Sequence, residues 1–227
     1  MVEKESKYWY IKGGQLFTQL DDEDYKELDW ISCMVHCNKS EFVYLPQEQH
    51  RKVYYLKQGL VKLGYYDENG NEIILDILKP GDLFGEVTFD VSKSTTEFAQ
   101  ALMNDTKLCN FNISELEKVL IRKPTLALRI SKKIGEQQTS ISQRLSKIIY
   151  KDARSRIIDF FKDWVIDEKI TDKKNIELNN YLTHAEIGGL NGLARQTVTS
   201  ILNELKESEL LFLDRRKIII PDLNKLK

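Results

Sequence analysis

Short apolar runs separated by turn residues occupy the chain from about residue 41 to residue 111. Many alternate apolar and polar positions, and they are rich in β-branched and aromatic residues, which is typical of antiparallel strands. Asn69-Gly70 predicts a two-residue hairpin turn, and Pro80-Gly81 predicts a type II turn. This spacing predicts a barrel or jelly roll. The runs are VYYL, LVKLGYY, EIILDIL, FAQAL and LCNF.

The apolar period changes to that of a helix after the last of these runs. Ser114 is placed to cap a short helix, and Pro124 suits the first turn of a longer one. Apolar residues of the longer helix recur at spacings of three, four and seven, which predicts a coiled-coil seam between two copies of the chain. Gln137 is the polar seam position that would fix the register, and the alternative is packing against the chain's own sheet. The stripe consists of Ala127, Ile130, Ile134, Ile141, Leu145 and Ile148.

A second core begins with a helix from Ala153 to about Asp167. A short strand is predicted at 176–178, and two further strands, at 211–213 and 217–220, predict a hairpin. The buried face of the helix is predicted to contain Ile157, Phe160, Phe161, Trp164 and Val165.

Between these strands the pattern predicts two helices joined by a tight turn. Thr183 caps the first helix and forms a capping box with Glu186. Gly192 allows the turn, and the second helix begins at Ala194. Together with the hairpin, the pair predicts a winged helix. The buried side of the second helix is predicted to contain Val198, Ile201, Leu202 and Leu205.

The outer face of the second helix carries the chemistry that the major groove of DNA requires. Arg195 can bind guanine bidentately, Gln196 can pair with adenine, and nearby hydroxyls suit phosphates or thymine. The basic tip of the hairpin suits the DNA backbone. The alternative is a structural helix pair, since any amphipathic helix has a polar face. The predicted DNA-binding residues are Thr183, Arg195, Gln196, Thr197, Thr199, Ser200, Arg215, Arg216 and Lys217.

Composition excludes several classes of protein. The chain has 227 residues, 41% of them hydrophobic and 30% charged, with a net charge of −1, which is the profile of a folded globular protein with room for two domains. We find no secretory leader and no bilayer-spanning run, so we expect a cytoplasmic protein without membrane contact. The three cysteines are expected to be reduced. Residues 16–29 are mostly acidic, whereas residues 122–156 are mostly basic.

Two segments resemble the family of the cyclic-AMP receptor protein and FNR: YYLKQGLVKLGYYDENGNEIILDILKPGDLFGE and LTHAEIGGLNGLARQTVTSILNEL. The resemblance covers nearly the whole chain and implies an α+β fold. It implies an N-terminal double-stranded β-helix (a jelly-roll, cyclic nucleotide-binding-like sensor) at 1–122, a dimerisation helix at 123–150 and a C-terminal winged helix-turn-helix at 151–227. It also implies a transcription regulator that binds a palindromic promoter site as a homodimer, contacts RNA polymerase and responds to an effector.

The sensor departs from the family pattern. Relatives that bind cyclic AMP follow Gly-Glu with an Arg-Ser or Arg-Thr pair that neutralises the cyclic phosphate, whereas this chain has Thr95-Thr96 and no arginine. The Thr-Ser pair that recognises adenine is replaced by Ile141-Ser142. We therefore expect an effector other than cyclic AMP, with a cyclic-nucleotide-responsive regulator as the alternative. The resemblance places the effector pocket at Gly85, Glu86, Thr95, Thr96, Ile141 and Ser142, although Gly85 and Glu86 are also explained by turn geometry and a local hydrogen bond.

The second helix of the predicted helix-turn-helix also departs from the family pattern, at fewer positions. Many relatives carry Glu where Gln196 stands and Arg where Ser200 stands, so we expect a different preferred operator. Ala194 replaces the Ser that often opens this helix, which removes a cap and a phosphate contact.

Other chemistry has weaker support. Cys33, His36 and Cys37 form C-x2-H-C, a spacing compatible with zinc or redox chemistry, but no fourth ligand is evident. Among candidate haem ligands, His36, His50 and His184, the last is the least suited because it lies in the helix pair. No nucleotide-binding or hydrolase motif is present, so we predict no enzyme, metal or cofactor. A ligand-binding module that docks a protein partner and not DNA is the remaining alternative.

Overall fold

The computed structural model describes residues 15–18, 20–46, 51–86 and 97–227. Two compact units are present, the first extending to Thr139 and the second beginning at Ser140. Their boundary falls within one long helix, Pro124–Tyr150. The first unit is built mainly from strands, and the second mainly from helices.

Two four-stranded antiparallel sheets form the first unit, with strand orders 1-8-3-6 and 2-7-4-5 along the chain numbering. Each of the five predicted runs overlaps a strand, so the predicted jelly roll is confirmed. We call the two sheets together the β-roll. Its strands are β1 (Ser32–Cys37), β2 (Phe42–Tyr44), β3 (Lys52–Gln58), β4 (Val61–Tyr66), β5 (Glu72–Leu78), β6 (Leu83–Gly85), β7 (Glu97–Ala101) and β8 (Thr106–Asn112).

Stacked aromatic side chains hold the short strand β6 against β3. The ring centroids of Tyr54 and Phe84 are 5.1 Å apart, and Tyr44 from β2 lies 5.4 Å from Tyr54. All three rings are buried, and aromatic pairs of this kind add stability beyond the area they bury. This packing fixes where the chain leaves β6, at Gly85 and Glu86.

The hairpin between β4 and β5 differs from the prediction. Gly70 has a φ of 79°, but Asn69 lacks the positive φ that a two-residue turn of the predicted type requires, and the loop spans residues 67–71. The Asp67 carboxylate accepts hydrogen bonds from the backbone N–H groups of Asn69 and Asn71, at 2.9 and 2.7 Å. The prediction was wrong because this side chain organises a longer loop.

Three helices accompany the β-roll: α1 (Asp22–Ile31), α2 (Ile113–Arg122) and α3 (Pro124–Tyr150). The cap of α2 is Asn112, whose side chain accepts from the Ser114 N–H, so the predicted cap at Ser114 was wrong by two residues. Pro124 is the first residue of α3, as predicted.

The acidic and basic segments of the sequence partly neutralise each other. Lys123 forms an ion pair with Asp24 of α1, and Arg122 forms one with Glu27. The charges of Arg122 and Lys123, directly before α3, are therefore paired within the first unit.

The amino-terminal part of α3 packs against its own unit. Leu126 and Ile130 are buried in the core, and Ile134 packs against that core. Gln137 Nε2 donates to the backbone oxygen of Leu83 at 3.0 Å. At Ile130, Ile134 and Gln137 these contacts favour the alternative, packing within the first unit.

The turn that precedes β6 is fastened to the same helix. Pro80-Gly81 forms the predicted type II turn, with a φ of 100° at Gly81 and a bond from the Asp82 N–H to the Lys79 oxygen. The Asp82 carboxylate accepts from the Lys79 N–H at 2.7 Å and pairs with Lys133 at 2.8 Å. Helix α3 thus contacts both the turn and the strand that lead to Glu86.

The carboxy-terminal part of α3 belongs to the second unit and is largely exposed. Ile141, Leu145 and Ile149 are 50%, 54% and 62% exposed, and they follow one another at intervals of four residues. Residues four apart lie on one side of a helix, so these three form an apolar stripe on the surface of the unit.

The second unit has the predicted winged-helix architecture, with antiparallel strand order β10-β11-β9. The first helix has the predicted bounds, but its buried face includes Ile158, whereas Phe160 is only half-buried. The elements are α4 (Ala153–Asp167), β9 (Lys174–Asn179), α5 (His184–Asn191), α6 (Arg195–Glu207), β10 (Phe212–Leu213) and β11 (Lys217–Asp222).

Candidate nucleic-acid interface

Helix α5 begins and ends with the devices that the sequence predicts. The Thr183 side chain accepts from the Glu186 N–H, and the Glu186 carboxylate accepts from the Thr183 N–H. At the other end Gly192 has a φ of 60°, and a Cβ on Gly188 would lie 2.5 Å from the Leu193 oxygen. The turn into α6 is tight because both positions are glycine.

A side chain of α4 also contacts the turn between α5 and α6. Arg156 Nη1 donates to the backbone oxygen of Asn191 at 2.8 Å, while Asn191 Nδ2 donates to the Ile187 oxygen at 2.8 Å. The first bond joins α4 to the end of α5, and the second lies within α5 itself.

Helix α6 has one buried and one exposed side. The buried side contains the four predicted residues Val198, Ile201, Leu202 and Leu205. Ala194 is the N-cap and makes no side-chain cap bond, in agreement with the loss expected from its methyl group. We call four exposed side chains near the start of α6 the reading face; they are Arg195, Gln196, Thr197 and Ser200.

Thr199 is only half-buried, yet its hydroxyl is used within the protein. It donates to the backbone oxygen of Arg195 at 2.9 Å and lies 2.8 Å from Nδ1 of His184. Sequence reasoning placed Thr199 among the outward contacts and gave His184 no part in the interface. The available signal was the position of His184 directly after the capping Thr183.

The wing between β10 and β11 is organised by Asp214. Its carboxylate accepts from the backbone N–H groups of Arg216 and Lys217, each at 2.7 Å, and these bonds lower the pKa of Asp214. Asn180 Nδ2 donates to the Asp214 backbone oxygen. The tip is thereby fixed with the Arg215 and Arg216 side chains exposed.

The predicted basic residues of the wing are not equivalent. Lys217 Nζ pairs with Glu177 of β9 at 2.7 Å, so its charge is already balanced. Arg195, Arg215 and Arg216 form no ion pair with any residue that the structure describes. The uncompensated positive charge is therefore carried by the arginines.

Helices α5 and α6 and the wing enclose an open depression of about 560 Å³. Its lining brings together the cap of α5, the start of α6 and the wing tip. Two arginines and the N-terminus of α5 border this depression, and both features attract anions. The residues that line the depression are Thr183, His184, Ala185, Arg195 and Arg215.

The predicted effector residues divide among different parts of the chain. Gly85 has a φ of 86°, and a Cβ there would lie 2.6 Å from the Lys52 oxygen, so the fold requires glycine. The Glu86 N–H donates to the same oxygen at 3.0 Å. Thr95 and Thr96 lie outside the described residues, and Ile141 and Ser142 are exposed residues of the second unit.

Sequence reasoning missed a second carboxylate near Glu86. Glu97 is the first residue of β7 and directly follows Thr95-Thr96 in the chain. Burial and the nearby charge of Glu86 raise the pKa of Glu97. We call Glu86 and Glu97 the carboxylate pair. The sequence signal was an acidic residue adjacent to the position where relatives carry a phosphate-binding pair.

The other candidate ligands do not converge on one point. His36 Nε2 lies 2.8 Å from Asp105, Cys33 is exposed, and Cys37 is buried, which raises the pKa of its thiol. Within the described ranges no group of three potential metal ligands is found. His50 lies outside the described residues.

Among the described helices, none has the length and apolar character needed to cross a membrane.

Two family models match the chain. Residues 34–123 match the cyclic nucleotide-binding domain, and residues 155–227 match the Crp-like helix-turn-helix domain. The first match covers most of the β-roll, and the second covers α4 through the wing.

Curated relatives and solved structures agree with these models. The chain is 25% identical over 183 residues to the global nitrogen regulator of Synechococcus elongatus, covering 80% of this chain and 82% of that protein. It is 24% identical over 199 residues to the cAMP-activated global transcriptional regulator CRP of Pasteurella multocida, covering 85% and 93%. The structure of a CooA mutant from Carboxydothermus hydrogenoformans matches with a TM-score of 0.70 at 27% identity, covering 88% and 87%. With a domain of the cyclic nucleotide-binding type followed by a Crp-like helix-turn-helix, the chain belongs to the Crp/Fnr family of DNA-binding transcription regulators.

Proposed function

We propose that the protein binds a palindromic promoter site as a homodimer, under the control of an effector other than cyclic AMP. The observation that carries this proposal is the reading face, which exposes Arg195 and Gln196 next to the arginine-lined depression. A guanidinium and an amide at the start of a recognition helix can each form two hydrogen bonds to a base edge. The depression and the wing tip supply the contacts to the backbone that position the helix.

Selection of genomic fragments by the purified protein tests this proposal. We expect enriched fragments to share an inverted repeat whose half-sites are about one helical turn apart, as two symmetric recognition helices require. Fragments with single or direct half-sites would contradict the symmetric arrangement. Absence of enrichment, with capture of a stoichiometric protein partner, would support the docking alternative.

The apolar stripe on α3 supports dimerisation. Ile141, Leu145 and Ile149 expose at least half of their surface at intervals of four residues. A second copy of the same helix covers such a stripe with an identical one, which buries apolar surface on both sides. A dimer formed in this way also supplies the second recognition helix.

Introducing a charged residue into the apolar stripe tests whether the stripe forms the dimer interface. Leu145→Asp is expected to produce monomers in sedimentation velocity runs, because an unpaired carboxylate in an apolar interface is costly. Ser146→Asp adds the same charge to an exposed neighbouring residue and should leave the dimer intact. Dimers of equal stability in both variants would remove the stripe from the interface.

The carboxylate pair supports an effector other than cyclic AMP. The pKa of Glu97 is raised by burial and by Glu86, so negative charge is already unfavourable there. A cyclic phosphate beside Glu97 would add a third negative charge, and the chain offers no arginine at Thr95-Thr96 to balance it. An effector that avoids placing an anion at this point fits the local charge better.

Calorimetry with cyclic AMP and cyclic GMP tests this part of the proposal. We expect no measurable uptake by the wild-type protein. The variant Thr95→Arg restores an Arg-Thr pair at positions 95 and 96 and is the matched control, expected to gain binding. Tight uptake by the wild type would overturn the proposal and leave DNA binding in place.

Regulation also requires a contact with the transcription machinery, and we include RNA polymerase among the proposed partners. Transcription in vitro from a selected fragment, with and without the protein, measures activation or repression directly. A protein that binds the fragment without changing the transcript level would contradict this partner.

A further inference from the structure

His184 is the first residue of α5, and its ring contacts the recognition helix. Its Nδ1 is 2.8 Å from Oγ1 of Thr199, and the same hydroxyl donates to the backbone oxygen of Arg195 at 2.9 Å. A hydroxyl has one proton to donate, and a carbonyl oxygen can only accept. When the hydroxyl donates to the Arg195 oxygen, the contact with His184 is a hydrogen bond only if Nδ1 carries a proton and donates it to Thr199.

This bond decides which ring nitrogen titrates. In the neutral ring Nδ1 is protonated and Nε2 is a bare acceptor, whereas in the charged ring both nitrogens donate. Protonation leaves the bond to Thr199 unchanged and alters only Nε2. Because His184 also lines the depression, Nε2 is the ring nitrogen left to contact a ligand there.

The surrounding charges favour the neutral ring in the free protein. Burial and the neighbouring Arg195 guanidinium lower the pKa of His184. Arg215 from the wing lines the same depression and adds positive charge, while the Glu186 carboxylate on the same helix is bound to the Thr183 N–H at 2.7 Å. A phosphate in the depression reverses this balance, since a nearby anion favours the imidazolium form.

We propose that His184 contacts DNA and that its Nε2 takes up a proton when a backbone phosphate enters the depression, with Thr199 fixing the ring for this contact. The inference rests on the proposed DNA-binding function. The proton comes from solvent and forms an N–H bond at Nε2, which then donates to a phosphate oxygen; no bond of the phosphate is made or broken. DNA affinity therefore increases as the pH falls toward the pKa of the free ring, and decreases as the pH rises through the pKa of the complex.

The pH dependence of DNA affinity tests the proposal. Fluorescence anisotropy with a selected genomic fragment, at constant ionic strength from about pH 6 to about pH 8.5, brackets the range in which histidine titrates. We expect the affinity of the wild type to rise roughly fivefold or more toward the acidic end, a usual size for coupling between two binding events. His184→Gln keeps a polar side chain that cannot titrate in this range, and its affinity should not change with pH.

His36→Gln is the matched control. It removes an exposed histidine of the first unit that pairs with Asp105, and it should keep the wild-type pH dependence. If His184→Gln keeps that dependence as well, the inference is wrong and the proposed function stands. If the wild type binds no duplex at any pH, the proposed function fails and the inference fails with it.

Imidazole nitrogen spectra of the free protein give a second readout that does not depend on DNA. The wild type should show His184 as the tautomer protonated at Nδ1. Thr199→Val removes the acceptor with little change of shape, and it should abolish this preference and weaken the pH dependence of DNA affinity. A wild-type ring protonated at Nε2 in the neutral state would overturn the proposed role of Thr199.

Discussion

The carboxylate pair of the β-roll consists of two acidic side chains, whereas the depression of the winged helix is lined by two arginines. The two sites differ in whether an additional anion is favourable. Burial and Glu86 raise the pKa of Glu97, so a further negative charge is unfavourable beside this carboxyl. Arg195 and Arg215 cannot lose a proton in a protein. An anion from outside the unit can balance them. The β-roll site therefore disfavours an anion, whereas the depression favours one.

Three basic residues elsewhere in the second unit are bonded to acidic side chains. Arg154 bonds to Glu204 at 2.9 Å, Lys217 to Glu177 at 2.7 Å and Lys147 to Asp163 at 2.5 Å. The charges of these three residues are balanced within the unit, whereas Arg195, Arg215 and Arg216 have no such partner among the described residues.

Arg195→Ala is expected to have the largest effect on DNA binding. It removes the guanidinium that we propose contacts a base, which should cost about 1–3 kcal/mol of affinity for the selected fragment. Affinity for unrelated duplex of equal length should fall less, so the specificity ratio should fall as well. Competition binding with the two duplexes measures both quantities.

Arg154→Ala is the matched arginine control for this prediction, because Arg154 is bonded to Glu204 and to the backbone oxygen of Lys227. We expect its DNA affinity to remain close to that of the wild type. Equal losses in the two variants would mean that overall charge, and not the reading face, determines specificity.

Arg216→Ala should have a smaller and more uniform effect. A side chain that contacts phosphate adds affinity without regard to sequence, so selected and unrelated duplexes should weaken together. The slope of log affinity against log salt concentration should become shallower by about one unit. Lys217→Ala should change the slope less, because Glu177 already balances that lysine. A larger change for Lys217→Ala would contradict the assignment of free charge to the arginines.

Much of the fold could be predicted from residue patterns. Five strands of the β-roll (β3, β4, β5, β7 and β8), the bounds of α4, the capping box at Thr183 and Glu186, and the wing are all signalled locally, by alternation, period or turn chemistry. The reading face follows from the same argument, because the buried positions of α6 fix which side remains exposed. These features depend on interactions between residues close together in the sequence.

The features that could not be predicted from the sequence depend on contacts between distant segments, or on side chains that form hydrogen bonds with backbone groups. Gln137 fits a helical seam by spacing, but its partner is Leu83, 54 positions away. Thr199 occupies an outward position by period, yet His184 bonds to it from another helix. The hairpin at Asp67 is a local case, in which a carboxylate bonded to the backbone overrides the preference of Asn69-Gly70 for a short turn.

Glu97→Gln should produce the smallest effect of these substitutions, a change in the pH dependence of stability. It tests the carboxylate pair of the β-roll. The folded-state pKa of Glu97 is raised above the ordinary value of 4.5, so between these two values the folded protein binds more protons than the unfolded chain. The free energy of unfolding of the wild type therefore decreases as the pH rises through that interval. Above it, the glutamine variant should be the more stable protein, and below about pH 4.5 the difference should vanish.

Hydrogen exchange of the β7 amides across this pH range measures the effect within the first unit. Glu68→Gln removes an exposed carboxylate on the β4–β5 hairpin and is the matched control, expected to leave the pH dependence as it is in the wild type. A glutamine variant at position 97 that is less stable than the wild type at neutral pH would mean that the Glu97 carboxylate is stabilised by a cation. The β-roll would then be able to accept an anion at this point, and the contrast with the depression would disappear.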